Sequence, residues 1–308
     1  MPDYAALARE LKAALPGLEI RENEPMSERC SFKIGGPARL MLLPGSAAEC
    51  AAALGALRAA GADTLVFGAG TNLLVPDEGW PGAALCISKP MSALRLIDPV
   101  TVFAGAGASL NALAVFAAQH SLTGLEFAHG IPGSVGGGVV MNAGAYGGET
   151  KDVLESAEFI DEDGAVKSLP AAELHLGYRR SDFSGSDRVV TGAVFRLEPG
   201  DGAEIRARMA ELIEKRRASQ PLEYPSAGST FKRPAGGYAA AMIDECGLKG
   251  LAVGGAMVSE KHAGFVINAG GATYADVTAL MREIQERVYA RFGVMLEPEV
   301  KIVEPPRA

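Results

Sequence analysis

The chain has 308 residues, of which 48% are hydrophobic and 21% charged, and a formal net charge of −8. That length is a soft prior for two domains with a substantial core, and the acidic balance excludes nonspecific nucleic-acid binding, which needs Lys and Arg against phosphates. No apolar run reaches membrane-spanning length, MPDYAALARELKAAL lacks the continuous apolar core of a secretion leader, and Cys30, Cys50, Cys86 and Cys246 form no CxxC or Cys/His pattern. The expectation is a cytoplasmic protein with reduced thiols and no metal site.

Tyr4, Leu7, Leu11 and Leu15 recur at helical spacing until Pro16-Gly17 ends the pattern. Gly35-Gly36-Pro37 turns the chain before a short strand, Arg39 to Leu43. Ser46 with Glu49 reads as a capping box for a helix carrying Cys50, Leu54 and Leu57 inward and stopping at Gly61. The strand Thr64 to Phe67 breaks at Gly68-Ala69-Gly70, and a further strand starts at Thr101. Ser109 caps a helix running to about His120, with Leu110, Leu113 and Ala117 on one stripe. ESAEFID and AVKSL flank a hairpin turn at Glu162-Asp163-Gly164, RVVTGAVFRL is another strand, and Pro199-Gly200-Asp201-Gly202 is the expected domain boundary. Ile205, Met209, Leu212 and Ile213 predict a helix ending in Lys215-Arg216-Arg217. Thr273 with Asp276 caps a long helix bearing Val277, Leu280, Met281, Ile284 and Val288 and closed by Gly293.

Two stretches stand apart from this pattern. From Thr123 to Gly148 glycine is far above its background, and Gly133-Ser134-Val135-Gly136-Gly137 predicts a run of unhindered backbone N–H groups of the kind that cradles phosphate. Gly68-Ala69-Gly70-Thr71-Asn72 repeats the offer about sixty residues upstream. Two such loops suggest a dinucleotide pyrophosphate held from both sides. Neither loop is a single-motif nucleotide fingerprint: Gly68-x-Gly70 lacks the third glycine and the following helix, and no lysine-serine ending is present.

GAGTNLLV (68–75), GIPGSVGGGVVMNAGAYGGE (130–149), SAGSTFKRP (226–234), GLKGLAVGGAMVSEKHAGFVIN (247–268) and LEPEVKI (296–302) together resemble, in order, the UDP-N-acetylenolpyruvoylglucosamine reductase family. The resemblance runs from about Asn23 to Val303, in the short form that lacks an extra substrate-closing insertion. It implies an α+β fold: an N-terminal helix and lead-in (1–23), an FAD-binding domain of the vanillyl-alcohol-oxidase (PCMH) type with two subdomains (24–199), and a smaller α+β substrate-binding domain (200–308). The activity implied is NADPH-dependent reduction of UDP-N-acetylglucosamine enolpyruvate to UDP-N-acetylmuramate through noncovalent FAD, in peptidoglycan precursor synthesis. The expected partners are the nucleotide sugar and NADPH, with no nucleic acid, no membrane and a monomeric state.

The same resemblance gives roles to residues. Hydride addition to an enolpyruvyl double bond leaves charge beside a carboxylate, which must be stabilised until a proton arrives. Arg179 in GYRRS matches the family's catalytic arginine, Ser229 its proton donor, and Glu299 its glutamate near the substrate carboxylate. FAD is expected on Gly68, Ala69, Gly70, Thr71, Asn72 and Leu73 from the first loop, and on Ile131, Gly133, Ser134, Gly136, Gly137, Asn142, Ala143, Gly144 and Ala145 from the second. Tyr146, Tyr224, Lys232, Arg233, Lys261 and Asn268 are the expected substrate contacts. Related flavin domains attach FAD through histidine, but this family binds it noncovalently, so His129 is expected to make only polar contacts.

Overall fold

The computed structural model describes residues 2–304. Its packing divides the chain into two compact units that no single cut in the sequence separates. One unit comprises the residues up to Glu22, Arg39–Ala69 and Gly82–Lys215; the other comprises Asn23–Ala38, Gly70–Pro81 and the chain from Arg216 onward. Each unit has its own buried apolar cluster. The expected boundary at Pro199–Gly202 precedes the packing division, which falls inside the helix Gly202–Ser219. Ile205 and Met209 explain this: both sit in the first unit's core, together with Leu122 and Leu197.

The first unit is built on a five-stranded antiparallel sheet in the order Val166–Pro170, Leu154–Ile160, Val189–Arg196, Thr101–Gly105 and Leu94–Asp98. Ala157, Ala193 and Ala104 stand in register across its three central strands, each fully buried. The expected hairpin is present: Gly164 takes φ +83° at the late position of the turn joining Leu154–Ile160 to Val166–Pro170. A second, parallel pairing joins Thr64–Phe67 to Trp80–Cys86. The helix Leu110–Gln119 begins where Ser109 Oγ accepts from Ala112 N at 3.0 Å. For the helix Ala47–Ala59 the expected capping box is only half made. Ser46 Oγ accepts from Glu49 N at 3.1 Å, but the Glu49 carboxylate takes Gly45 N at 2.6 Å, one residue earlier than a reciprocal box requires.

The second unit gathers two early segments onto the C-terminal part of the chain. Leu73–Leu74 pairs in parallel with Lys301–Ile302, with Lys301 N donating to Asn72 O and Val303 N to Leu74 O, each at 2.9 Å. Backbone contact is close enough that a Cβ on Gly36 would meet Asp77 O at 2.1 Å. A three-stranded antiparallel sheet, Ala252–Val253, Ala256–Val258 and Val266–Asn268, packs against the long helix Tyr274–Phe292. That helix has both predicted ends: the Thr273/Asp276 capping box is complete, and Gly293 closes it in the left-handed conformation at φ +67°. Val277, Leu280, Met281, Ile284 and Val288 are its buried face.

Candidate active site

In the first unit the glycine-rich segment folds as a short 3₁₀ turn (Glu126–Ala128), a loop through Gly133 at φ +149°, and a six-residue helix, Val135–Val140. This corrects the expectation of a free amide run from Gly133 to Gly137. Val135 N donates to Ala108 O (2.7 Å), Gly136 N to Ala106 O (2.9 Å), Gly137 N to Ser134 Oγ (3.3 Å) and Gly138 N to Ser134 O (2.8 Å). The helix glycines answer a packing need instead. A Cβ on Gly136 would lie 2.9 Å from Ala106 Cβ, and one on Gly138 would lie 2.9 Å from Leu110 Cδ2.

The donors that remain lie just before that helix and on the first loop. Among the described residues, no protein acceptor bonds the amides of Gly133 and Ser134, or those of Gly68 and Ala69. These two loops adjoin, since a Cβ on Gly68 would meet Ser134 Oγ at 2.1 Å. Abutting loops that present four uncommitted N–H groups suit a dianionic pyrophosphate, so these residues fit a dinucleotide cofactor. His129 is engaged through Nδ1 with Met209 O at 3.3 Å.

After the short helix, Asn142 is fully buried with its amide committed to the protein, Ala143 O accepts from Thr150 N and Oγ1, and Gly144–Ala145 pairs with Gly148–Glu149. The turn of this small hairpin is Tyr146-Gly147, with φ +54° and +90°. Two positive φ values match the twist of a tight hairpin, and the glycine following Tyr146 is the sequence signal for it. Tyr146 is displayed there, 39% exposed. It edges an open cleft of about 450 Å³ shared with Phe127, Ile205, Arg208 and Leu212. Of the expected site residues only Tyr146 lines this cleft, so it is distinct from the loops that suit the cofactor. Ile131 is tied by its amide to Ala128 O at 3.1 Å.

Arg179 sits in a two-residue turn closed by Gly177 N to Arg180 O (3.0 Å) and Arg180 N to Gly177 O (3.2 Å). Its φ is +54°, at the second central position, where turns with one left-handed residue ordinarily take glycine. The guanidinium lies over the Tyr178 ring, 5.1 Å from its centroid, and Nη2 donates to Gly144 O at 3.3 Å.

The second unit holds the other two expected catalytic residues on paired segments. Phe231 and Pro298 form an antiparallel bridge, Lys232 N donates to Glu297 O at 2.8 Å, and Glu299 N donates to Thr230 O at 2.9 Å. Ser229 and Glu299 are both half-buried. Asn72 Nδ2 donates to Glu299 O at 3.0 Å, so this expected cofactor residue braces the Glu299 backbone. Leu73 is buried in its two-residue strand, and Gly70 at φ +64° leaves no room for a Cβ, which would meet Arg29 O at 2.0 Å. Thr230, buried and unremarked in the sequence, anchors the arrangement: its N donates to Gly264 O (2.8 Å) and its Oγ1 accepts from Val266 N (2.9 Å).

Among the expected substrate contacts, Tyr224 is 43% exposed and Arg233 stacks on Tyr238 at 4.4 Å. Lys232 pairs with Glu297, while Lys261 Nζ donates to Arg217 O at 2.7 Å and lies 3.8 Å from Glu223. Asn268 is structural: Nδ2 donates to Phe32 O, and Oδ1 accepts from Gly270 N and Ala272 N. No helix among the described residues is long and apolar enough to cross a membrane.

Comparison with known proteins fits this geometry. Residues 38–169 match a family model described as an FAD binding domain, and residues 220–303 match that of the UDP-N-acetylenolpyruvoylglucosamine reductase C-terminal domain. The UDP-N-acetylenolpyruvoylglucosamine reductase of Syntrophomonas wolfei is 48% identical over 289 residues, 94% of this chain and 96% of the relative. That of Caldanaerobacter subterraneus is 46% identical over 297 residues, covering 96% and 98%. Among solved structures, the Thermus caldophilus reductase superimposes with a TM-score of 0.80 at 36% identity, covering 93% of this chain and 99% of that one. An alkyldihydroxyacetonephosphate synthase, 16% identical, shares the fold with a TM-score of 0.50 over 64% of this chain and 41% of its own. The abutting loops and the matched domain define a flavoprotein with an FAD-binding domain, and FAD is its cofactor. The chain belongs to the UDP-N-acetylenolpyruvoylglucosamine reductase family.

Proposed function

We propose that this protein reduces the enolpyruvyl group of UDP-N-acetylglucosamine enolpyruvate to give UDP-N-acetylmuramate, acting as a cytoplasmic monomer in peptidoglycan precursor synthesis. FAD, when bound, would supply the hydride, with NADPH as the reductant. Gly68, Ala69, Gly133 and Ser134 would hold its pyrophosphate through their amides. Arg179 grips the substrate carboxylate, where a planar guanidinium makes two parallel hydrogen bonds and favours the charge that builds up. Ser229 delivers the proton to the carbon next to that carboxylate. Glu299 stands beside the carboxylate as a hydrogen-bonding partner, and Tyr146, Tyr224, Lys232, Arg233 and Lys261 serve the nucleotide sugar.

The observation that best supports this reading is the conformation of Arg179. A bulky cation held at φ +54° with its guanidinium bonded to Gly144 O is an arrangement that surface solvation does not require. The test is a flavin cycle. NADPH added without oxygen should bleach the yellow protein, and the enolpyruvyl nucleotide should restore the colour in equal amount. Bleaching without restoration would reject the function. Ser229→Ala should bleach normally and regain colour slowly; normal recovery would remove Ser229 from the proton step.

A further inference from the structure

Asn142 is fully buried and takes φ +41°, a conformation asparagine tolerates better than most residues. Its amide is held from three sides. Nδ2 donates to Glu149 Oε2 at 2.6 Å and to Gly177 O at 3.1 Å, and Oδ1 accepts from Lys151 N at 2.9 Å. A buried amide with its partners in place is a stiff strut, because giving up any partner leaves a desolvated polar group unmatched.

The strut ends at the turn that displays Arg179. Gly177 O, which takes Asn142 Nδ2, is also the oxygen that closes the turn by accepting Arg180 N. The other end of the arginine returns to the same place, since Arg179 Nη2 donates to Gly144 O, two residues beyond Asn142. Backbone and guanidinium are therefore both referenced to residues 142–144. A left-handed non-glycine residue persists only where its surroundings over-determine it, and these bonds supply that determination.

We propose that Asn142 is a positioning residue for Arg179: its buried amide fixes the 177–180 turn to the 142–144 segment and so sets where the guanidinium meets the substrate carboxylate. This rests on the carboxylate-gripping role given to Arg179 above. The Asn142 side chain itself is fully buried, with both atoms of its amide committed to protein partners.

The test uses the FAD-loaded enzyme and follows flavin reduction by NADPH separately from reoxidation by the enolpyruvyl nucleotide. Asn142→Asp keeps the shape and the tolerance for positive φ but replaces the donor with an acceptor facing Glu149 Oε2 and Gly177 O. Reduction by NADPH should change less than twofold, and reoxidation should slow by about ten- to a hundredfold with a raised KM, the scale expected when a reacting group is misplaced by about 1 Å. Arg179→Lys should show the same selective defect, and the double variant should be no slower than Arg179→Lys alone. Should Asn142→Asp fail to fold, Glu149→Ala removes the strut's carboxylate partner and should reproduce the pattern, with Glu149→Gln restoring an acceptor and the rate. Normal reoxidation in Asn142→Asp while Arg179→Lys is slow would overturn the positioning role alone. Equal slowing of both half-reactions, or multiplicative defects in the double variant, would also overturn it. Normal reoxidation in Arg179→Lys would instead defeat the role of Arg179 and the inference with it.

Discussion

Gly68→Ala tests whether the two loops must abut. The added Cβ would lie 2.1 Å from Ser134 Oγ and 3.1 Å from Ser134 Cβ, and since contacts under 3.0 Å are not sustained the hydroxyl has to move by roughly 0.9 Å or more. That hydroxyl caps the helix Val135–Val140 through Gly137 N, so displacing it forfeits a cap worth about 1 kcal/mol. The remaining crowding adds about 1–3 kcal/mol. Gly68→Ala should therefore destabilise by about 2–4 kcal/mol in urea unfolding of the holoenzyme at fixed FAD, with FAD affinity falling about tenfold for each 1.4 kcal/mol lost from loop geometry. Ser134→Ala alone should cost about 1 kcal/mol. Because it removes the clashing oxygen, the double variant should be more stable than Gly68→Ala, leaving only the 3.1 Å Cβ contact to relax. If the two effects add, or if Gly68→Ala stays within about 0.5 kcal/mol of the parent, the ordinary range for a surface change, the loops do not constrain one another and the reasoning fails.

Thr230→Val removes the acceptor for the buried Val266 N–H and should destabilise by about 1–3 kcal/mol; an unchanged Tm would show that the 2.9 Å bond carries no weight. Burial pushes the Cys50 thiol up to about 12, helped by nearby Glu49, so in the folded protein at pH 8 it should resist a thiol reagent that modifies the more accessible Cys246, and equal labelling rates would refute this. His262 is depressed below its ordinary value mainly by burial, and its Nδ1 accepts Gly264 N at 3.1 Å. A lowered folded pKa gives stability that is present above the unfolded value of about 6.5 and lost as pH falls through the folded one. Stability should accordingly drop on the acid side, and His262→Gln, whose side-chain oxygen also accepts, should flatten that drop; identical pH curves would exclude His262 as its source.

Local elements were legible wherever a rule involves neighbours in sequence. Thr273, Asp276 and Gly293 bracket their helix as spacing predicts, and Gly164 marks its hairpin. Ser46 with Glu49 shows the limit of such rules, because the carboxylate has two amides within reach and takes Gly45. The glycine loops misled for a related reason. Glycine meets a need for close approach, and sequence does not say whether a ligand or the protein's own backbone does the approaching. At Gly136 and Gly138 it is Ala106 and Leu110, and at Gly70 it is Arg29 O; the uncommitted amides are those of Gly68, Ala69, Gly133 and Ser134. Asn142, Asn72 and Thr230 were illegible in their working roles because each joins segments distant in the chain, up to the 227 positions between Asn72 and Glu299.

Backbone strain gives an independent pointer to the same region. Seven non-glycine residues among those described take positive φ, and four of them, Asn142, Tyr146, His175 and Arg179, lie in two segments joined by Asn142 Nδ2 to Gly177 O and Arg179 Nη2 to Gly144 O. Each such residue costs free energy on the scale of about 1 kcal/mol or more, least for asparagine. A chain free to relax would scatter these residues through loops, where solvent and glycine substitution relieve them cheaply. The Asn142 and Arg179 bonds tie the turn that carries Arg179 to the segment that carries Asn142, so weakening the strut should release the strained conformation at Arg179. A glycine at Arg179 would relieve strain yet remove the guanidinium, whereas a glycine at His175 would relieve strain while leaving it in place. Comparing their stabilities separates what the loop tolerates from what the reaction requires: both should match or exceed the parent in Tm, and only His175→Gly should retain reoxidation of the flavin.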